Sequence, residues 1–127
     1  MKKRLLLIED NYQNRYMMRF LLEREGFLVE EAENGKDGIR LALLHLPDII
    51  LLDIQLPEMD GYAILSELKR CEKLKNIPVI AVTSYAMAGD RERILERGTD
   101  GYIEKPINPD TFVSEIMAFI QKRAKNS

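Results

Sequence analysis

Six residues of this 127-residue chain stand where short apolar runs end and carry groups that do chemistry. Glu9 and Asp10 follow the first run, Asp53 ends the third, Thr83 and Ser84 follow the fourth, and Lys105 follows the fifth, ahead of Pro106. Each has an ordinary structural use: Asp10 or Asn11 can cap a helix, and Asp53 can simply close a strand. Brought together, three carboxylates and one lysine sum formally to −2. Such a cluster repels itself and raises carboxylate pKa values unless a cation joins it. A hard divalent ion suits oxygen ligands, and Mg²⁺ takes few carboxylates and keeps several waters; Mn²⁺ is a substitute of the same kind. With Mg²⁺ the formal sum is zero, so the site accepts an anion whose oxygens meet Lys105 and the Thr83 hydroxyl. A phosphoryl group fits, and a carboxylate can be its covalent acceptor.

Convergence depends on the elements. Short apolar runs at 5–8, 27–31, 48–52, 77–82 and 101–103 read as strands, and Pro78 is tolerable at the start of its run. Between them lie helical patterns. Ile39, Ala42, Leu43 and Leu46 recur at helical spacing, as do Val113, Ile116, Met117 and Ile120. Met17, Phe20 and Leu21 support a helix over 12–25, stopped by Gly26, and Leu65 and Leu68 support one over 61–70. Asp60 and Asn108 read as N-caps, with Pro109 at the first helical position. A fourth helix over 88–97 has the poorest apolar stripe, Met87, Ile94 and Leu95, and is expected to be the loosest element. Five strand–helix units read as an α/β fold, a parallel sheet covered on both faces, whose ligands sit outside the carboxyl ends of the strands. The six residues then share one edge.

Composition bounds the alternatives. The chain is 46% hydrophobic and 31% charged, with 7 Gly and 5 Pro, which excludes disordered and collagen-like classes. One domain over 1–127 is expected, with a core of about 3–123, fraying at 124–127 and no second domain. A net charge of −2 with mixed signs argues against a nucleic-acid surface. The single cysteine, Cys71, fits a reducing, cytoplasmic setting. The longest uncharged stretch, 76–89, contains Pro78 and is too short to span a membrane, and the run at 5–8 is too short for a signal peptide.

With these residues in this order, the chain resembles the receiver domain of bacterial two-component response regulators, from Lys3 to about Arg123. The family's acidic pair matches Glu9 and Asp10, and its phosphoacceptor matches Asp53 within Asp53-Ile-Gln-Leu-Pro-Glu-Met-Asp-Gly61. Its hydroxyl residue matches Thr83, and its Lys-Pro pair matches Lys105 and Pro106. The resemblance implies a flavodoxin-like, doubly wound sheet of five parallel strands in the order 2-1-3-4-5, with five helices. It implies that Asp53 takes a phosphoryl group from a phosphohistidine on a sensor histidine kinase or histidine phosphotransfer protein. Asp10, Asp53 and the main-chain carbonyl of Gln55 would hold Mg²⁺ directly, with Glu9 acting mostly through water. Lys105, Thr83 and the Ser84 N–H would contact the phosphoryl group. The Lys105–Pro106 peptide is expected to be cis, Thr83 and Tyr102 to act as the switch pair, and Gln55 and Tyr85 to tune phosphoryl lifetime. The output would be a stand-alone phosphorelay switch that autophosphorylates and slowly dephosphorylates but is not a turnover enzyme. It would have no DNA-binding or membrane role and would meet its effector through the fourth helix, fifth strand and fifth helix.

Rival functions on a similar architecture fit less well. A flavodoxin-type carrier needs hydroxyls and amides after strand one, where Glu9 and Asp10 would repel its phosphate. A dinucleotide enzyme needs a Gly-x-Gly-x-x-Gly there, which is absent. An aspartyl-phosphate phosphatase needs an aspartate two residues past its nucleophile, where this chain has Gln55. A non-phosphorylated scaffold would normally lose site residues, and none is lost. His45 reads as a helix-terminal surface residue, Cys71 as an inert thiol, Met17 and Met117 as core, and residues 90–93 as a solvated helix face.

Overall fold

The computed structural model describes residues 2–55, 61–84 and 88–125, with backbone alone for 88–91 and 125. Its elements run β1 (Arg4–Ile8), α1 (Tyr12–Arg24), β2 (Leu28–Ala32), α2 (Gly35–His45), β3 (Ile49–Asp53), α3 (Gly61–Arg70), β4 (Val79–Thr83), α4 (Ala88–Glu96), β5 (Gly101–Glu104) and α5 (Phe112–Lys125). All pairings are parallel, in the order β2-β1-β3-β4-β5.

The strand period of two divides the apolar residues between two cores. Leu5, Leu7, Ile49, Leu51, Ile80 and Val82 face α1 and α5, where Met18, Leu22, Phe112 and Ile116 close over them. Leu6, Ile8, Ile50, Leu52, Val79 and Ala81 face α2, α3 and α4, against Ala42, Ile64, Leu68 and Ile94. Every residue of β3 and β4 is buried, whereas the edge strands β2 and β5 are only partly so, β5 with strict alternation. Register then fixes the functional edge: Ile8 pairs with Leu52, Asp53 with Val82, and Thr83 with Glu104.

Several local expectations shift. The β2, β3 and β4 strands lie one or two residues further along than the apolar runs suggest, so Asp53 and Thr83 are themselves the last residues of β3 and β4. Pro78 stays outside β4 and gives only its carbonyl, which accepts from the Ile50 N–H at 3.0 Å. The buried stripe of α1 is Arg15, Met18, Leu21 and Leu22; Phe20 is exposed and Met17 only half-buried. Leu43 and Leu46 are also exposed, and Leu46 has left α2 to adopt a left-handed conformation as its C-cap. Met117 packs against the core half-buried. The α5 helix begins at Phe112, not at Pro109, because Asn108 heads a preceding turn: its side chain accepts from the Asp110 N–H at 3.0 Å and its carbonyl from the Phe112 N–H at 3.0 Å. The expected N-cap Asp60, and Met87 of the fourth helix, lie outside the described residues. Asn11 and Asn34 cap α1 and α2 by accepting from the N–H groups of Asn14 and Asp37.

The chain after Asp53 returns to α3 at very close quarters. The Gly61 N–H donates to the Ile54 carbonyl at 3.2 Å, and a Cβ on Gly61 would lie 2.5 Å from the Ile54 Cα. Because that neighbour is backbone, Gly61→Ala is expected to destabilise the protein by roughly 1–3 kcal/mol, as overpacking does. Urea denaturation checks this, and a loss under about 0.5 kcal/mol, the scale of a neutral surface change, would refute the close approach.

Candidate functional site

The ends of β1, β3, β4 and β5 bring the predicted residues to one edge. Ligand oxygens of Glu9, Asp10 and Asp53 all lie within 4.8 Å of one another. Glu9 and Asp53 are buried and Asp10 is exposed, so the trio opens to solvent on the Asp10 side. Lys105 reaches in from the loop after β5, its Nζ 3.0 Å from Glu9 Oε1 and 3.1 Å from Asp53 Oδ2. The Lys105 main-chain N–H donates to the Thr83 carbonyl at 2.8 Å, tying that loop to β4, and the Lys105–Pro106 peptide is cis. The other Asp53 oxygen, Oδ1, accepts from the Gln55 N–H at 2.8 Å. Both acceptor oxygens are thus oriented by named donors.

Electrostatics follow from this crowding. Burial, and then the neighbouring Asp53 carboxylate, push the Glu9 carboxyl up to about 7. Burial by itself would lower the Lys105 ammonium, but the Glu9 and Asp53 carboxylates outweigh it and hold the lysine above its ordinary value. Glu9 Oε2 accepts from the Asn11 N–H at 3.2 Å. Oε1 is buried without a hydrogen bond; its approach to Lys105 is an ion pair lacking hydrogen-bond alignment. Three hard oxygen donors within reach of one another, with a single lysine between the two buried ones, fit a divalent cation such as Mg²⁺.

The remaining predicted residues are placed as follows. Thr83 is buried at the end of β4, and Ser84 is exposed beside it. The Ser84 N–H and hydroxyl both donate to Gln55 Oε1, at 2.9 and 2.6 Å. Tyr102 is half-buried on β5, against the cluster that contains Ile94 of α4. Tyr85 lies outside the described residues. His45 is a surface residue whose Nδ1 lies 2.6 Å from Glu30 Oε2, and Cys71 is a half-buried free thiol.

Sequence reasoning missed Arg15. Its side chain is 9% exposed; Nη1 donates to the carbonyls of Glu9 and Asp10 at 3.0 and 3.5 Å, and Nη2 to Glu33 Oε1 at 3.3 Å. It fastens the backbone of the acidic pair to the end of β2. The signal was available: Arg15, Met18 and Leu22 lie on one helical stripe, and an arginine there must find partners.

Comparison with known proteins identifies the family. The family model for the response regulator receiver domain matches residues 5–117, and the chain belongs to that family. It is 42% identical over 120 residues to the polar-differentiation response regulator DivK of Brucella anthropi, covering 94% of this chain and 98% of that one. The receiver domain of sensor histidine kinase PA1611 from Pseudomonas aeruginosa PAO1 is 31% identical, with a TM-score of 0.85 and coverage of 95% and 99%; its structure holds a magnesium ion coordinated in the active site cleft. The chemotaxis response regulator CheY4 of Vibrio cholerae shares the fold at 23% identity, with a TM-score of 0.88 and coverage of 94% and 99%. The chain is thus a receiver of two-component signalling on a flavodoxin-like sheet. No helix among the described residues is long and apolar enough to cross a membrane.

The Glu9 shift has a consequence for stability. An unfolded chain releases this proton near 4.5, whereas the folded metal-free protein keeps it to about 7. Between these values the folded state binds more protons, so the Glu9 contribution falls as pH rises from about 4.5 to about 7. Urea denaturation of metal-free protein across that window is expected to show a smaller loss in Glu9→Gln than in wild type. Equal slopes in the two proteins would show that Glu9 titrates elsewhere.

Proposed function

We propose that Asp53 is the phosphoacceptor of this receiver, drawing its phosphoryl group from a phosphohistidine on a sensor histidine kinase or histidine phosphotransfer protein. The supporting observation is the state of the Asp53 carboxylate: buried, with Oδ1 fixed by the Gln55 N–H and Oδ2 by Lys105. An Asp53 oxygen attacks phosphorus, the new O–P bond forms as the N–P bond breaks, and the electron pair leaves with the donor imidazole. Asp10, Asp53 and the Gln55 carbonyl would hold Mg²⁺, with Glu9 acting through water and Mn²⁺ able to replace it. The ion supplies charge neutralisation for carboxylate and phosphoryl oxygens. Lys105 is already in contact with Asp53 and can follow a phosphoryl oxygen. The Thr83 hydroxyl and the Ser84 N–H flank the same edge. A single acceptor that is covalently loaded and then slowly released is a switch, not a turnover enzyme, and its place is the cytoplasm with its donor.

Loading replaces a carboxylate of charge −1 by a group of about −2 with three strong acceptor oxygens. Thr83 and Lys105 would be drawn toward it, and Tyr102, half-buried on the neighbouring strand β5, would move into the space that Thr83 vacates. The effector would read the changed face of α4, β5 and α5. Gln55 and Tyr85 would set how long the phosphoryl group lasts. The scaffold alternative is not favoured, since Glu9, Asp10, Asp53 and Lys105 meet at one edge.

Asp53→Asn keeps the shape of the side chain but removes the nucleophile. Incubation with acetyl phosphate and Mg²⁺ is expected to add one phosphoryl mass to wild type and none to the variant; equal uptake would overturn the assignment. Beryllofluoride, a phosphoryl mimic, is expected to shift amide resonances in α4 and around Tyr102 as well as near Asp53. Shifts confined to the loops around Asp53 would refute the switch while leaving the acceptor assignment standing.

A further inference from the structure

The Ser84 main-chain N–H stands at the edge where an acyl phosphate on Asp53 would project, and it is already taken. Gln55 Oε1 accepts from it at 2.9 Å and from the Ser84 hydroxyl at 2.6 Å. An amide oxygen has two lone pairs, so these two donors saturate it. At its other end Gln55 gives its N–H to Asp53 Oδ1 at 2.8 Å. One residue therefore bridges the carboxylate of β3 to the donor pair that follows β4. The bridge depends on the Gln55 side chain: it needs an acceptor oxygen two residues after Asp53, and the hydroxyl of Ser84 adds a second donor to the main-chain one.

We propose that the Gln55 side chain is a latch that occupies the Ser84 donors in the unphosphorylated protein and must be displaced by the incoming phosphoryl group. The inference rests on Asp53 being the acceptor and adds how loading of that site is restrained. A charged phosphoryl oxygen is a stronger acceptor than a neutral amide oxygen, so the exchange runs toward the loaded state once phosphate is present. Before loading, the latch lowers the availability of the N–H by about the net worth of one neutral hydrogen bond over its hydrated alternative, on the order of fivefold. The Ser84 hydroxyl strengthens the latch by adding a second donor to the same oxygen. Phosphoryl uptake is then coupled to the release of a side chain that bridges from the residue bonded to Asp53 to the donors that follow β4.

The test uses Gln55→Met, which keeps the stem and the backbone carbonyl but has no amide oxygen, with Gln55→Ala as a second form. In metal-free protein, amide hydrogen exchange at Ser84 is expected to be protected in wild type and on the order of fivefold faster in both variants. Beryllofluoride with Mg²⁺ is expected to bind both variants more tightly than wild type by a similar factor. Ser84→Ala is expected to give a smaller gain, and the Gln55→Met, Ser84→Ala double variant no more than Gln55→Met alone, since the two groups form one unit. Unchanged exchange at Ser84, unchanged beryllofluoride affinity in the Gln55 variants, or additive effects of the two sites would each overturn the latch alone. Failure of every form, wild type included, to bind beryllofluoride would overturn the acceptor reading, and the latch with it.

Discussion

The crowding of three carboxylates at one strand edge is the constraint on which the rest of this molecule depends. Glu9, Asp10 and Asp53 place ligand oxygens within 4.8 Å of one another, with Lys105 as the cation between the two buried members. The strain shows in opposite directions on the two sides of the contact: Glu9 holds its proton to about 7, and Lys105 holds its own more firmly than usual. Buried ion pairs of this kind are weak evidence for stability, because desolvation offsets their attraction. Their value lies in a standing demand for positive charge. Arg15 extends the pattern outward: its guanidinium meets the carbonyls of the acidic pair on one side and Glu31 and Glu33 on the other. Charge thus alternates from the cleft to the end of β2.

Such crowding needs a rigid frame, and the parallel sheet supplies it. Parallel strands send all their carboxyl ends to one edge, and helices on both faces keep β3 and β4 fully buried. This part of the molecule was legible in the sequence. Five apolar runs alternating with helical patterns gave the fold class, and the polar residues after each run named the edge. The one-residue slip of β3 matters more than its size suggests. By ending the strand on Asp53 itself, the sheet grips the carboxylate's backbone through the pairing with Val82.

What stayed illegible has physical reasons. The phase of α1 was misread because Phe20 is more apolar than Arg15, yet Arg15 is the buried residue and Phe20 the exposed one. Hydrophobic periodicity cannot see an arginine that is buried because carbonyls and carboxylates await it. Asn108 next to Pro109 has the chemistry of a helix start but heads a turn, since its side chain bonds two residues on, to Asp110, as Asn does in turns. The Gln55 and Ser84 contact joins loops that are 29 residues apart, and nothing local in either segment announces it. Side chains that only bridge loops are the least visible, because neither spacing nor propensity encodes their partner.

These two kinds of residue divide the labour of the site. Backbone fixed by the sheet cannot move far: Asp53 and Thr83 end strands whose neighbours pair on both sides, so any displacement at Thr83 is confined to its side chain. A change of charge at Asp53 must therefore be absorbed by groups held through loops or at the sheet margin. Lys105 follows the edge strand β5, Gln55 and Ser84 hold each other across two loops, and Tyr102 is half-buried against a cluster to which α4 contributes Ile94. Closely packed interiors have discrete alternatives instead of continuous give, so added charge at the fixed centre selects among arrangements of the margin. The same asymmetry that makes β3 and β4 a rigid holder for carboxylates makes the β5 side the less tightly held margin of the site.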